Sequence, residues 1–172
     1  ANVLMLSHMR GHIADMPRLM AICDAHDIAV IEDCAHTMGA DWDGHPSGRW
    51  GAIGCYSCQT YKHVNSGEGG LIVTDDADMA AKMILLSGSY MLYARNGTAP
   101  SEEVFARHKG AMPNVSGRMD ELRAAILRPQ LADLPAQVAR WNERYRALET
   151  GFRNLPGLHV IDRPASEGYV GS

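Results

Sequence analysis

The sequence predicts an α/β fold, a mostly parallel sheet flanked by helices. Three observations carry this. Two short apolar runs, residues 3–6 and 28–31, bracket a stretch of helical periodicity, the pattern of a right-handed βαβ crossover. Two more runs of strand length follow at 53–58 and 70–74. From Met119 onward the apolar residues recur at helical spacing, as on a helix that packs one face. With 172 residues, the chain has the length of one domain.

The first helix is expected to start at Pro17 with Asp15 as its N-cap, and Leu19, Met20, Cys23 and His26 fall on one face. The run 28–31 is ended by Glu32 and Asp33. Gly39, Gly44, Gly48, Gly51 and Gly54 make a glycine-rich connector, and Asp75-Asp76 is placed to cap a helix over 77–86. Few periodic signals mark 88–117, which reads as a long loop or mobile segment. Pro129 and Pro135 are expected to kink or restart the last helix, whose stripe comprises Leu134, Val138, Trp141, Tyr145, Leu148 and Phe152. Residues 157–161 read as a fresh strand after a turn at Asn154-Leu-Pro-Gly157. Because the first strand has no lead-in and this last one no successor, the chain is expected to be the middle of a longer protein.

Composition narrows the function. The chain is 46% hydrophobic and 21% charged, with 16 Lys+Arg against 20 Asp+Glu and a net charge of −4. That balance argues against a broad electrostatic attraction to nucleic acid or anionic membrane. No apolar run approaches the roughly 18 residues of a membrane helix. Four cysteines do not make a disulfide scaffold and fit a reducing compartment. Cys55 and Cys58 have C-x-x-C spacing, but on a strand they face opposite ways, and no second pair completes a zinc site. His8 and His12 have the spacing of helical ligands, but Gly11 and a strand end intervene, so no metal is expected. Arg10 and Arg95 are candidates to meet anionic substrate groups, against the commoner solvated role.

Three features converge. Asp33 ends one buried run, Lys62 follows the run 53–58, and Ser66-Gly-Glu-Gly-Gly70 comes directly after. In open α/β sheets, ligands bind beyond the carboxyl ends of the strands. An amine and a carboxylate on one such crevice suit pyridoxal 5′-phosphate: a neutral amine condenses with its aldehyde, and a carboxylate keeps its ring nitrogen protonated. A hydroxyl such as Ser57 and free N–H groups would hold its phosphate. On spacing alone other readings stay open, a helix cap for Asp33, a solvated loop lysine for Lys62 and tight turns for the glycines.

The stretch Val30-Ile-Glu-Asp-Cys-Ala-His36, then Gly39-Ala40, Gly54-Cys-Tyr-Ser57, Lys62 and Gly67-Glu-Gly-Gly70 resembles the DegT/DnrJ/EryC1/StrS sugar aminotransferases. Ser7-His-Met-Arg-Gly11 is similar to the family's preceding strand end, and Arg118-Met-Asp-Glu-Leu-Arg-Ala-Ala125 to its arginine-led interface helix. The resemblance implies the large domain of a fold-type-I pyridoxal-phosphate transferase over 1–153 and the start of a small C-terminal domain over 154–172. It further implies a cytoplasmic homodimer that transfers an amino group from glutamate or glutamine to a keto sugar, usually nucleotide-linked, or a keto-cyclitol. Lys62 would be the Schiff-base lysine and proton shuttle. Asp33 would pair with the pyridinium nitrogen, His36 would lie near the ring and its hydroxyl, and Ser57 would hold the phosphate. Where the family carries an Asn two residues before the interface arginine, this chain has Ser116, with Asn114 two residues earlier. Both are candidates for the neighbouring subunit's phosphate. The family's glycine-threonine phosphate loop and ring-stacking aromatic would precede Ala1. A dehydratase of the same fold replaces the lysine with histidine; here the lysine is kept and His63 follows it. A non-catalytic homologue that keeps the fold is the remaining alternative, and it would not bind the cofactor.

Overall fold

The computed structural model describes residues 1–88 and 97–171. Its centre is a four-stranded sheet of order β1-β2-β5-β6. The strands are β1 (Val3–Ser7), β2 (Ala29–Asp33), β5 (Ile53–Ser57) and β6 (Gly70–Val73). β1, β2 and β5 run parallel and β6 antiparallel, so the mostly parallel α/β sheet stands. Helix α1 (Met16–Ala25) makes the crossover from β1 to β2, with Pro17 in its first turn. The Asp15 side chain accepts the Arg18 N–H at 3.1 Å. Met16 and Cys23 are its buried residues, whereas His26 is the exposed C-cap.

Glu32 and Asp33 do not end the second strand but complete it. Strand alternation then sends them to opposite faces. The register pairs Ser7 with Asp33, Asp33 with Cys55 and Ser57 with Gly70, which puts Ser7, Asp33 and Ser57 on one face. Val3, Met5 and Ile72 share that face and are exposed. Leu4, Leu6, Val30, Glu32, Tyr56 and Leu71 take the other, where Leu6 packs on Ile13, Met16 and Trp42, and Tyr56 and Leu71 on Met38, Cys58 and Val64.

The glycine-rich connector holds two short strands, β3 (Asp41–Trp42) and β4 (His45–Pro46), which with β7 (Glu167–Gly168) form a second, antiparallel sheet. Helix α2 (Ala77–Ser87) is capped by Asp76, whose side chain accepts from the Met79 N–H at 3.0 Å.

Three expectations are corrected. The stretch 88–117 contains a helix, α3 (Glu102–His108), whose Phe105 is buried against Ala81 of α2. An Asp78–Arg107 bidentate pair at 2.8 Å joins the two helices. Two turns of helix are too short for a clear periodic signal. Residues 89–96, with Arg95, lie outside the described residues. Pro129 and Pro135 do not restart the last helix, because α4 runs from Glu121 to Arg153 with both inside it. Its contacts override the local penalty: Leu127 and Leu134 pack on the Met38–Val64 cluster, and Val138 and Trp141 on the Ile13–Trp42 cluster. The stripe divides along its length, since Leu148 and Phe152 are exposed. Finally, 157–161 form no strand. Leu158 and Ile161 are 55% and 61% exposed, without the neighbouring strand that extended backbone needs to satisfy its N–H and C=O groups.

Candidate active site

Strand alternation and the parallel register build the site. Asp33 stands at the carboxyl end of β2 with each oxygen accepting one hydrogen bond. The Ser7 hydroxyl donates to Oδ2 at 2.9 Å and the Ala35 N–H to Oδ1 at 3.1 Å. Lone pairs on both oxygens remain open for a further donor. The chain then turns through Cys34 and Ala35 to His36, whose Nε2 accepts from the Lys62 Nζ at 3.4 Å. Lys62 itself sits in a turn anchored by its N–H to the Gln59 carbonyl at 2.9 Å. Ser57, at the end of β5, accepts the Gln59 N–H at 3.3 Å.

A cavity of about 640 Å³ opens at these strand ends, and Arg10, His36, Lys62, His63, Trp141 and Gly171 are among the residues that line it. Burial lowers the His36 pKa, the charges of Lys62 and Arg10 lower it further, and Asp33 opposes them. His63 stacks tilted on Trp141 with ring centroids 5.0 Å apart, and its buried Nε2 has no hydrogen-bond partner among the described residues. Burial depresses its pKa most, the Gly171 hydrogen bond raises it, and His36 and Lys62 add to the lowering. Imidazoles so placed favour the neutral form.

On the opposite face, Glu32 is fully buried. Its Oε2 accepts from His8 Nε2 at 3.0 Å and the Gly48 N–H at 2.8 Å. Its Oε1 accepts the N–H groups of Trp50 and Gly51 at 2.8 and 2.7 Å. Burial pushes its pKa up, but His8 and the three N–H donors outweigh that and hold it below the ordinary 4.5. Cys34 completes a cluster with His8 and Glu32 whose ligand-capable atoms lie within 4.8 Å of one another. The donor set does not suit a metal: the carboxylate is already occupied, and burial pushes the Cys34 thiol to about 12, which keeps it protonated. The group is instead a buried tie that holds the connector against β2. Gly51 follows from this, since a Cβ there would run into the Val30 carbonyl.

The structure brings Lys62 and His36 together on one cavity, with Asp33 and Ser57 on the adjoining sheet face. It does not bring Asn114 and Ser116 there. Asn114 Oδ1 accepts the Ser116 N–H at 2.8 Å, the Val115 N–H donates to the Leu86 carbonyl at 2.9 Å, and Arg118 donates to the Gly88 carbonyl. These residues therefore sit at the end of α2, and neither lines the Lys62 cavity. Sequence reading missed Ser7, Trp141, His63 and Gly171 as neighbours of the site. Only Ser7 carried a signal, its pairing with Asp33 once both strands are placed in register.

The model of the DegT/DnrJ/EryC1/StrS aminotransferase family matches residues 1–170. The chain belongs to this family. It is 35% identical over 133 residues to the L-glutamine:2-deoxy-scyllo-inosose aminotransferase of Streptomyces kanamyceticus, covering 77% of this chain and 31% of that protein. It is 34% identical over 165 residues to the UDP-N-acetyl-3-dehydro-alpha-D-glucosamine 3-aminotransferase of Acidithiobacillus ferrooxidans, covering 94% and 40%. The chain thus spans well under half the length of these family members. In fold it is similar to a DegT DnrJ EryC1 StrS aminotransferase from Brucella abortus, with a TM-score of 0.79 at 22% identity over 96% of this chain and 41% of that one. These neighbours share the fold-type-I architecture, of which this chain is a part. Among the described residues no helix is long and apolar enough to cross a membrane.

Proposed function

We propose that this protein carries the cofactor-binding part of a pyridoxal 5′-phosphate-dependent aminotransferase. It would pass an amino group from glutamine or glutamate to a keto-cyclitol or a nucleotide-linked keto sugar. The observation that supports it most is the Lys62 amine, 3.4 Å from His36 Nε2 on one cavity, with His36 also within the field of the open Asp33 carboxylate. The names of the two relatives, one an L-glutamine:cyclitol enzyme and one a UDP-sugar enzyme, supply the donor and the two acceptor classes.

When bound, the cofactor supplies an aldehyde to take up the amine and a ring to store an electron pair. Lys62 would hold it through its amine and move a proton at Nζ, a role worth roughly 10²–10⁴ in rate. Asp33 is the carboxylate for the ring nitrogen, fixed by Ser7 and the Ala35 N–H. His36, which accepts from Lys62 Nζ, would be a neutral acceptor for its proton, and the Ser57 hydroxyl would hold the phosphate. Trp141 and His63 supply an aromatic wall that limits water. Asn114 and Ser116 are assigned to a contact with the partner of a homodimer, away from this cavity. Residues 1–153 are read as part of the large domain and 154–172 as the start of the small one.

The test is Lys62→Ala in the native-length enzyme. Visible absorbance of the lysine-bound cofactor and amino transfer from L-glutamine should vanish together. Undiminished transfer in that variant refutes the assignment, and an unmodified protein that stays colourless with added cofactor supports a non-catalytic homologue.

A further inference from the structure

We propose that Arg10 is the receptor for the α-carboxylate of the amino donor. The inference rests on the amino-transfer reading above and adds a substrate-binding residue to it.

The cavity wall fits an anion. Arg10 and Lys62 bring positive charge, His36 and His63 bring imidazoles, and among the described residues no aspartate or glutamate lines it. Arg10 makes no hydrogen bond or ion pair with another described residue, so its five N–H donors are available to a ligand. A guanidinium in that position matches a carboxylate with two parallel bonds.

The backbone that presents Arg10 is unusual and held. Arg10 has φ 56°, and Gly11 follows at φ 76°. A left-handed arginine costs energy and persists where its surroundings fix it. Here a buried ion pair does so. Arg163 Nη1 donates to the Gly11 carbonyl at 3.1 Å and to Glu167 Oε1 at 2.8 Å, and Glu167 Oε1 also accepts the Ile13 N–H at 2.8 Å. Both side chains of the pair are nearly inaccessible, 8% and 1% exposed. Arg163 is further packed on the rings of Tyr145 and Tyr169. The loop after β1 is thus clamped from the chain's far end, and Arg10 projects from it to the Lys62 cavity. Its charge already reaches His36.

The reaction's charged groups can be sorted against this position. A keto-cyclitol has no charge to offer. Ser57, assigned to the cofactor phosphate, ends β5, whereas Arg10 follows β1, so the two flank Asp33's strand from opposite sides. The donor's carboxylate is bonded to the same carbon as the amine it gives up. Its receptor must therefore share a cavity with Lys62, as Arg10 does.

The experiment compares the native-length, cofactor-loaded enzyme with Arg10→Gln and Arg10→Lys. Donors are L-glutamine and 4-aminobutanamide, which is glutamine without its α-carboxylate. Arg10→Gln should raise KM for L-glutamine about 10- to 100-fold, leave KM for the keto acceptor unchanged, and retain the cofactor as the unmodified enzyme does. Arg10→Lys should recover part of the loss. With 4-aminobutanamide the unmodified enzyme and Arg10→Gln should be equally slow. An unchanged KM for glutamine overturns the proposal. So does a loss confined to the acceptor, which assigns Arg10 to a sugar-nucleotide phosphate, or to cofactor retention, which assigns it to the cofactor phosphate. If the unmodified enzyme transfers nothing from glutamine or glutamate, the amino-transfer reading itself falls, a result separable from an active enzyme indifferent to Arg10.

Discussion

Glu32→Gln tests the buried tie behind the site with the smallest change of shape. The carboxylate accepts four hydrogen bonds, from His8, Gly48, Trp50 and Gly51, at 2.7–3.0 Å. An amide keeps one oxygen and turns the other into a donor. With the oxygen left toward Trp50 and Gly51, the new NH₂ faces the Gly48 N–H, donor against donor. His8 can move its proton to Nδ1 and accept from that NH₂ through Nε2, so one buried N–H, that of Gly48, loses its acceptor, at about 1–3 kcal/mol. The two bonds kept lose their charge assistance, about another 1 kcal/mol together. Replacing a buried charge by a neutral group recovers some desolvation, so the sum lies near 3 kcal/mol. For a domain of this size that is a fall in Tm of about 6–12 °C. Differential scanning calorimetry reads it, and faster hydrogen exchange at Gly48, Trp50 and Gly51 should accompany it. A midpoint within 2 °C of the unmodified protein, with exchange unchanged at those amides, refutes the reasoning.

Acidification should destabilise the protein in two windows. His36 and His63 fold with pKa values below the ordinary 6.5, so the unfolded chain binds more protons and stability falls as pH drops from about 6.5 to the folded values. Glu32, held below 4.5, keeps its contribution above that pH and loses it as pH falls through its folded value. Thermal melts from pH 7.5 down to about 2 check both, and His36→Gln with His63→Gln should flatten the upper window only. Gly54→Ala should be severe, because its Cβ would overlap the backbone of Gly48. Overpacking against immovable backbone costs about 1–3 kcal/mol or more, and an unchanged Tm would show the connector yields.

Much of the fold was legible because its determinants are local. Asp15 and Asp76 announce helix starts by side chains that reach N–H groups three residues on, and the βαβ unit shows in the period of its apolar residues. The misread elements are those whose fate depends on distant packing. Pro129 and Pro135 look like breaks until Leu127, Leu134 and Trp141 are seen docked on the sheet side of the molecule. Residues 157–161 look like a strand until no partner lies beside them. The site follows the same division. Asp33, His36 and Lys62 are marked by their places at strand ends, whereas Trp141 and Gly171 reach the cavity, and the Arg163–Glu167 clamp the loop that carries Arg10, from a helix and a tail more than a hundred residues away from Arg10.

Glu32 and Asp33 show how a strand separates neighbouring residues of the same chemistry. Both are acidic and both sit on β2, yet the two-residue period of a strand gives them opposite surroundings. One side chain is buried among N–H donors and holds the glycine connector. Among the described residues the other meets the Ser7 hydroxyl and the Ala35 N–H, keeps lone pairs open, and acts on His36 through its charge. A slip of one residue in the pairing of β1 with β2 would exchange the two faces, putting the open carboxylate in the core and the buried one in the crevice. His8 opposes this slip: it follows Ser7, and while Ser7 holds Asp33, its imidazole holds Glu32. The pair of bonds is satisfied in one register only, so the contacts that fix the fold at this point also fix which carboxylate stays open at the strand end.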